Sequence, residues 1–190
     1  CCAGSRLLLQ ENISTKVEKK IILRMKKLRF GNPLDKSIDM GPLISLEQLN
    51  RVKLLVENGV ESGADIYQCD IPSVLKGYFY PPTLLKNVSP SMEVFQQEIF
   101  GPVLSSTTFR TPEEAVALAN NSRYGLSASI WSENINLALD ISPKLKVGVV
   151  WINSTNVFDA AVGFGGYRES GYGRELSLIH ISEPTRQWQI

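Results

Sequence analysis

The chain has 190 residues, enough for one domain with a substantial core and few for two. Hydrophobic residues make up 43% and charged ones 21%, and 20 Lys and Arg against 19 Asp and Glu leave a formal charge of +1, an ordinary globular composition. That near-balance gives no reason to expect nucleic acid or an anionic membrane surface as a partner, and no uninterrupted apolar run approaches the roughly 20 residues of a membrane helix.

Cysteine usage narrows the chemistry further. Cys1, Cys2 and Cys69 are odd in number with two adjacent members, a poor disulfide framework. His180 is the only histidine and no Cys-x-x-Cys spacing occurs, so no metal site is expected. A reducing, cytoplasmic setting follows from this usage. The first residue is Cys1, not Met, and no signal-like segment follows it, so the natural start is expected upstream.

In chain order, Leu7 to Gln10 reads as a short buried strand. Asn12 offers a cap for a helix in which Ile13, Val17, Ile21, Met25 and Leu28 recur at helical spacing. Its lysines (Lys16, Lys19, Lys20, Lys26 and Lys27) fall mostly elsewhere around the helix and read as a solvated face, with cations favoured near the C-terminal end. Gly31 to Asp35 is a loop. Ser45 and Gln48 have capping-box spacing at the start of a second helix, with Leu49, Val52, Val56 and Val60 as its apolar stripe and Gly63 at its close.

Ile66 and Tyr67 predict a strand. Tyr78 to Leu85 predicts another, interrupted by Pro81-Pro82 and therefore expected at an edge or bulged. Val103 to Phe109 alternates as a strand. Thr111-Pro112-Glu113-Glu114 is a helix start, with a cap, a proline at the first helical position and a carboxylate three residues after the cap; that helix should reach about Asn121. Leu126, Ala128 and Ile130 alternate with polar neighbours as a half-buried strand. Ile135 to Leu145 predicts a helix, and Val147 to Ile152 a strand covered on both faces. Strands alternating with helices predict an α/β fold: an open, largely parallel sheet with flanking helices.

Gly163-Phe164-Gly165-Gly166 and Gly171-Tyr172-Gly173 invite a nucleotide-binding reading. A dinucleotide fingerprint needs a third glycine three residues after the second, directly after a strand and opening a helix. Those third positions are Arg168 and Leu176 and no long helix follows, so the glycines read as turns or points of close backbone approach.

Four segments carry a family resemblance. Cys1-Cys2-Ala3-Gly4-Ser5-Arg6 looks like the nucleophile segment of the aldehyde dehydrogenase superfamily, in which a cysteine is followed by four residues and an arginine. Glu98-Ile99-Phe100-Gly101-Pro102 is similar to that family's Glu-Ile-Phe-Gly-Pro segment. Asn120 to Leu126, followed by Val149-Val150-Trp151-Ile152-Asn153, is the third match. Phe164-Gly165-Gly166-Tyr167-Arg168-Glu169-Ser170-Gly171 resembles the terminal Phe-Gly-Gly-x-Lys-x-Ser-Gly, with Arg168 at the lysine position. Asn32 to Lys36, Asp39-Met40-Gly41 and Phe79 to Thr83 are similar to the family-16 branch, some of whose members resemble enzymes that lack the cysteine.

The resemblance implies oxidation of a small-molecule aldehyde to a carboxylic acid with NAD or NADP. Cys1 matches the catalytic nucleophile, and a thiolate suits the task because it adds to a carbonyl and forms a hydrolysable thioester. Glu98 and Phe100 match residues that hold the nicotinamide ribose hydroxyls and pack beside the nicotinamide ring. Gln48 and Arg51 match positions touching the adenosine ribose, although capping is a rival role for Gln48. Phe158 and Phe164 match residues lining the aldehyde tunnel, and plain core packing fits them equally. An inactive scaffold and a coenzyme-A-acylating or semialdehyde-specific relative are the alternative functions.

The resemblance also implies parts beyond these residues: a dinucleotide-binding domain, a glutamate base and an asparagine oxyanion donor upstream, and a final strand used in homo-oligomer association. Residues 1–176 therefore read as part of a catalytic domain, inactive by itself. Leu176 to Arg186 reads like a translated sequencing-library adapter, so residues 177–190 are expected to be non-native; a lineage-specific terminus is the other reading.

Overall fold

A computed structural model describes residues 3–72 and 75–176 of the chain. Cys1 and Cys2, the expected nucleophile and its neighbour, and the expected adapter-like tail at 177–190 lie outside the described residues. The described chain divides into two compact units, one formed by Gly4–Ala115 and the other by the residues from Val116 onward.

The first unit is built on a four-stranded sheet. Its strands are β1 (Arg6–Gln10), β2 (Asp65–Gln68), β3 (Thr83–Lys86) and β4 (Val103–Phe109), in the order β1-β4-β3-β2. β4 runs parallel to both β1 and β3, and only β2 is antiparallel. The largely parallel open sheet is the expected one, with an antiparallel edge strand added. Helices α1 (Glu11–Met25), α2 (Leu46–Glu61) and α3 (Glu93–Gln96) accompany it.

The core forms where α2 and α3 meet the sheet. Val52, Leu55 and Val56 of α2, Leu84 and Leu85 of β3, and Val94 and Phe95 of α3 are all buried, each large side chain contributing roughly 1.5–3 kcal/mol through removal from water. Gly59 lets the helix approach, since a Cβ there would lie 2.9 Å from a methyl of Val94. The buried hydroxyls of β4 all find partners: Ser105 donates to the Val94 carbonyl at 3.0 Å, Thr107 to the Val88 carbonyl at 2.7 Å and Ser106 to the Glu18 carboxylate at 3.2 Å. Without those partners, burying them would cost free energy.

Three expectations in this unit are corrected. The residue capping α1 is Gln10, which makes no side-chain cap bond, and Asn12 lies inside the helix, because the chain turns straight from β1 into α1. The apolar stripe of α2 is Leu49, Val52, Leu55 and Val56, with Val60 partly exposed near the helix end. Pro81-Pro82 precede β3 and do not interrupt it, and β3 is a central, buried strand. Proline bars ladder pairing only at its own position, so it moved the strand start to Thr83 without moving the strand to the edge.

The second unit contains most of helix α4 (Pro112–Asn120), followed by β5 (Tyr124–Gly125), β6 (Ser127–Ile130), α5 (Ile135–Ile141), β7 (Val149–Ile152), β8 (Phe164–Gly165), β9 (Tyr167–Arg168) and β10 (Arg174–Glu175). β6 and β7 pair in parallel, while β5–β9 and β8–β10 are short antiparallel pairs. The helix expected to reach Leu145 stops at Ile141 and continues as one tighter turn over Ser142–Lys144, because Pro143 cannot donate to the α-helical ladder. β7 starts later than Val147 and buries only Trp151, so it is half-covered.

The glycine-rich segments are points of close backbone approach. A Cβ on Gly148 would lie 1.6 Å from the carbonyl oxygen of Gly165, and one on Gly165 2.0 Å from that of Gly173. Gly171, at φ +87°, supplies the turn between them.

Candidate active site

In the first unit, the sequence places Glu98-Ile99-Phe100-Gly101-Pro102 between α3 and β4, and α2 anchors this loop. Ser45 opens α2 by accepting the backbone N–H of Gln48 on its hydroxyl at 3.1 Å. The expected capping box is only half formed, because the Gln48 side chain does not return to Ser45. Its amide nitrogen Nε2 donates to the carbonyls of Ile99 at 3.1 Å and Phe100 at 3.0 Å. One turn on, Arg51 Nη2 donates to the Glu98 carbonyl at 3.3 Å. The next residue, Val52, is fully buried, and a Cβ on Gly101 would lie 2.7 Å from its methyl Cγ2. Loop and helix are therefore as close as glycine permits.

Gripped in this way, the loop sorts its side chains. Ile99 is 4% exposed and points into the core, whereas Phe100 is 61% exposed and has a left-handed backbone at φ +57°. Glu98 is half-buried beside it. An aromatic residue with positive φ is an outlier held by its surroundings. The same short loop so carries a carboxylate, able to accept two hydroxyl hydrogens, and an exposed aromatic ring.

Arg6, the basic end of the cysteine–arginine spacing, begins β1 with its guanidinium 4.8 Å from the centre of the Phe95 ring. Burial pushes its pKa down from the usual arginine value. The start of β1 is held by a bond from the Ser105 N–H to the Ser5 carbonyl at 3.1 Å. The segment leading away from the expected nucleophile is thus fixed on the sheet, while Cys1 itself lies outside the described residues.

In the second unit the structure brings Phe158 and Phe164 together. Their rings meet edge-to-face at 5.1 Å, and Phe158 meets Trp151 in the same way at 5.7 Å. The Trp151 indole donates to the Val157 carbonyl at 2.8 Å, which fixes the inner end of the row. Phe158 stands half out of the surface. These three rings form an apolar strip suited to an uncharged organic group.

Several motif residues prove to be backbone ties. Asn120 Oδ1 accepts from the Lys146 N–H and Nδ2 donates to the Lys144 carbonyl, binding the end of α4 to the approach to β7. Asn153, at φ +51°, makes the same two-way bond with the backbone of Ser132. Arg168 donates to the carbonyls of Asn120 and Ser122 and so caps α4. The sequence motifs gave these residues no role; an asparagine or arginine at the end of a helix or strand was the available signal. Among the described residues, no cluster of His, Cys, Asp or Glu is placed to hold a metal, and no helix is long and apolar enough to cross a membrane.

The sequence profile of the aldehyde dehydrogenase family matches residues 1–189. Betaine aldehyde dehydrogenase of Bacillus subtilis (strain 168) is 38% identical over 189 residues, 97% of this chain and 39% of that protein. Aldehyde dehydrogenase 1A1 of Oryctolagus cuniculus is 40% identical over 185 residues, 97% of this chain and 37% of that protein. A crystal structure of betaine aldehyde dehydrogenase from Staphylococcus aureus in complex with NAD+ superposes with a TM-score of 0.90 at 40% identity, covering 96% of this chain and 37% of that one. Another structure of that enzyme carries a BME-modified cysteine. The chain spans well under half the length of these relatives.

Proposed function

This chain belongs to the aldehyde dehydrogenase family, and on that premise we propose that the full-length protein oxidises an aldehyde to a carboxylic acid with NAD or NADP. The observation that carries the reading is the Glu98–Phe100 loop. A half-buried Glu98 lies two residues before an exposed aromatic residue at φ +57°, a carboxylate and a ring on one short loop, which suits the ribose hydroxyls and flat ring of a nicotinamide cofactor. The relative from Staphylococcus aureus, whose structure contains NAD+, supports the same assignment. The bound cofactor would supply a hydride acceptor.

The chain's own residues divide the remaining work. The Cys1 thiolate adds to the aldehyde carbon, forming a C–S bond while the carbonyl π pair moves to oxygen. Loss of hydride from that carbon leaves a thioester, and water then breaks the C–S bond to release the acid and return the thiol. Glu98 accepts ribose hydroxyls, Phe100 limits where the nicotinamide lies, and the Phe158–Phe164 strip receives the aldehyde's apolar part. Gln48 and Arg51 face the same loop. An unpaired, buried Cys69 and a thiolate nucleophile both fit a reducing compartment such as the cytoplasm, and a homo-oligomer is the expected assembly.

The test is turnover by the full-length protein. Cys1→Ala should abolish NAD-dependent oxidation, and Cys2→Ala should leave much of it. Unchanged turnover in the Cys1 variant removes the nucleophile assignment. Residues 177–190 are proposed to derive from an adapter, although the family match running to residue 189 counts for a native terminus; reading the transcript decides between them.

A further inference from the structure

Resting on that functional reading, we propose that Gln48 and Arg51 are positioning residues, which grip three consecutive carbonyls of the Glu98–Phe100 loop and thereby set the side chains facing the nicotinamide. The two lie three residues apart on one face of α2 and take the carbonyls of residues 98, 99 and 100 in turn. Both partners of Gln48 are carbonyl oxygens, so its amide nitrogen must face them. The nitrogen is within hydrogen-bond distance of both carbonyls. With the nitrogen turned to the loop, Oε1 is the Gln48 atom left to accept from a cofactor hydroxyl.

The grip also accounts for Phe100. Its positive φ is unfavourable for a residue with a bulky side chain and persists only where neighbouring atoms over-determine the backbone. The Gln48 bonds to Ile99 and Phe100 bracket that bend, and Val52 against Gly101 prevents the loop from sliding along the helix. With its backbone turned toward α2, the loop buries Ile99 and leaves the Phe100 ring outward. Without the grip, the backbone that carries Glu98 and Phe100 is no longer held in one conformation, and hydride transfer is sensitive to small misplacement of the nicotinamide.

The experiment uses the full-length enzyme carrying Gln48→Leu, which removes both donors and keeps the side chain's bulk. Three quantities are read: hydrogen exchange of the amides from Glu98 to Val103, affinity for AMP as a probe of the adenosine half alone, and kcat with its isotope effect on a deuterated aldehyde. The expected result is loop exchange faster by about tenfold, the equivalent of one to two ordinary hydrogen bonds. A kcat lower by a similar factor, a larger isotope effect and unchanged AMP affinity should accompany it. Weakened AMP binding with loop exchange and kcat intact overturns the proposal in favour of a direct ribose contact. If Gln48→Leu does not fold, Arg51→Met removes the single longer bond and should give the same pattern at about threefold. A wild type that oxidises no aldehyde with NAD removes the functional reading, and the exchange measurement still decides the grip by itself.

Discussion

At Ile99 and Phe100 one backbone bend sends adjacent side chains to opposite environments, and Glu98 precedes them on the same loop. The Glu98 carboxylate is the proposed acceptor of the ribose hydroxyls, and Glu98→Gln keeps its shape while removing its charge. If two ribose hydroxyls bind there, that variant should lose roughly 1.5–3 kcal/mol of interaction, read as a raised KM for NAD and a slower hydride-transfer rate. Wild-type values for both would make Glu98 a surface charge. Asp39 gives a residue-scale prediction in pH. Its carboxylate accepts the Arg29 guanidinium at 2.9 and 3.2 Å and the Arg29 N–H at 2.9 Å. Those bonds, the side-chain ones first, lower its pKa from 3.8 to about 2. The folded state thus favours the ionised form, so the contact acts fully above pH 3.8 and is lost as pH falls through about 2. The Asp39 carboxyl 13C shift should titrate with a midpoint near 2 in the native protein, and Arg29→Met should return that midpoint toward 3.8.

At the scale of elements, the approach of β7 to β8 depends on an absent side chain. Gly148→Ala would put a methyl 1.6 Å from the Gly165 carbonyl oxygen, a backbone atom that cannot rotate aside. The segments must move apart, at a cost of about 3 kcal/mol as an overpacking change. Denaturant unfolding of the full-length variant should show that loss, and a midpoint equal to wild type would mean the contact relaxes freely. Elements whose signals are local were legible in the sequence. Thr111-Pro112 starts α4 because a cap and a preset φ act within one turn, with Glu114 N–H donating to the Thr111 hydroxyl at 3.2 Å. Ser45 and Gly63 mark the ends of α2 for the same reason. Elements decided by distant partners were not legible. β3 is central because β4 and β2 flank it, which no property of Pro81-Pro82 reveals. The candidate site was legible as residue identities, since its motifs are contiguous. Its geometry was not, because the bond from Gln48 to Phe100 spans 52 positions.

The whole chain poses a last question: whether residues 1–190 alone carry any of the proposed activity. They should have no dehydrogenase activity and bind NAD weakly or not at all. The relatives are much longer, this chain matching 39% of one and 37% of another. Dinucleotide affinity commonly rests on a pyrophosphate held at a glycine turn and a helix N-terminus, and the glycine segments here are taken up by backbone contacts with Gly148 and Gly173. In the proposed reading, the Glu98–Phe100 loop would address only the nicotinamide end. Thioester release also needs a positioned base, worth about 10²–10⁴-fold, and an oxyanion donor worth roughly 10²–10³-fold. The described residues further expose Leu34, Ile44, Leu23 and Leu54, apolar surface that favours association of the isolated chain. Calorimetric titration of residues 1–190 with NAD, alongside an aldehyde turnover assay, tests the point. Micromolar NAD affinity, or turnover abolished by Cys1→Ala, would mean that the cofactor site is built from these residues alone.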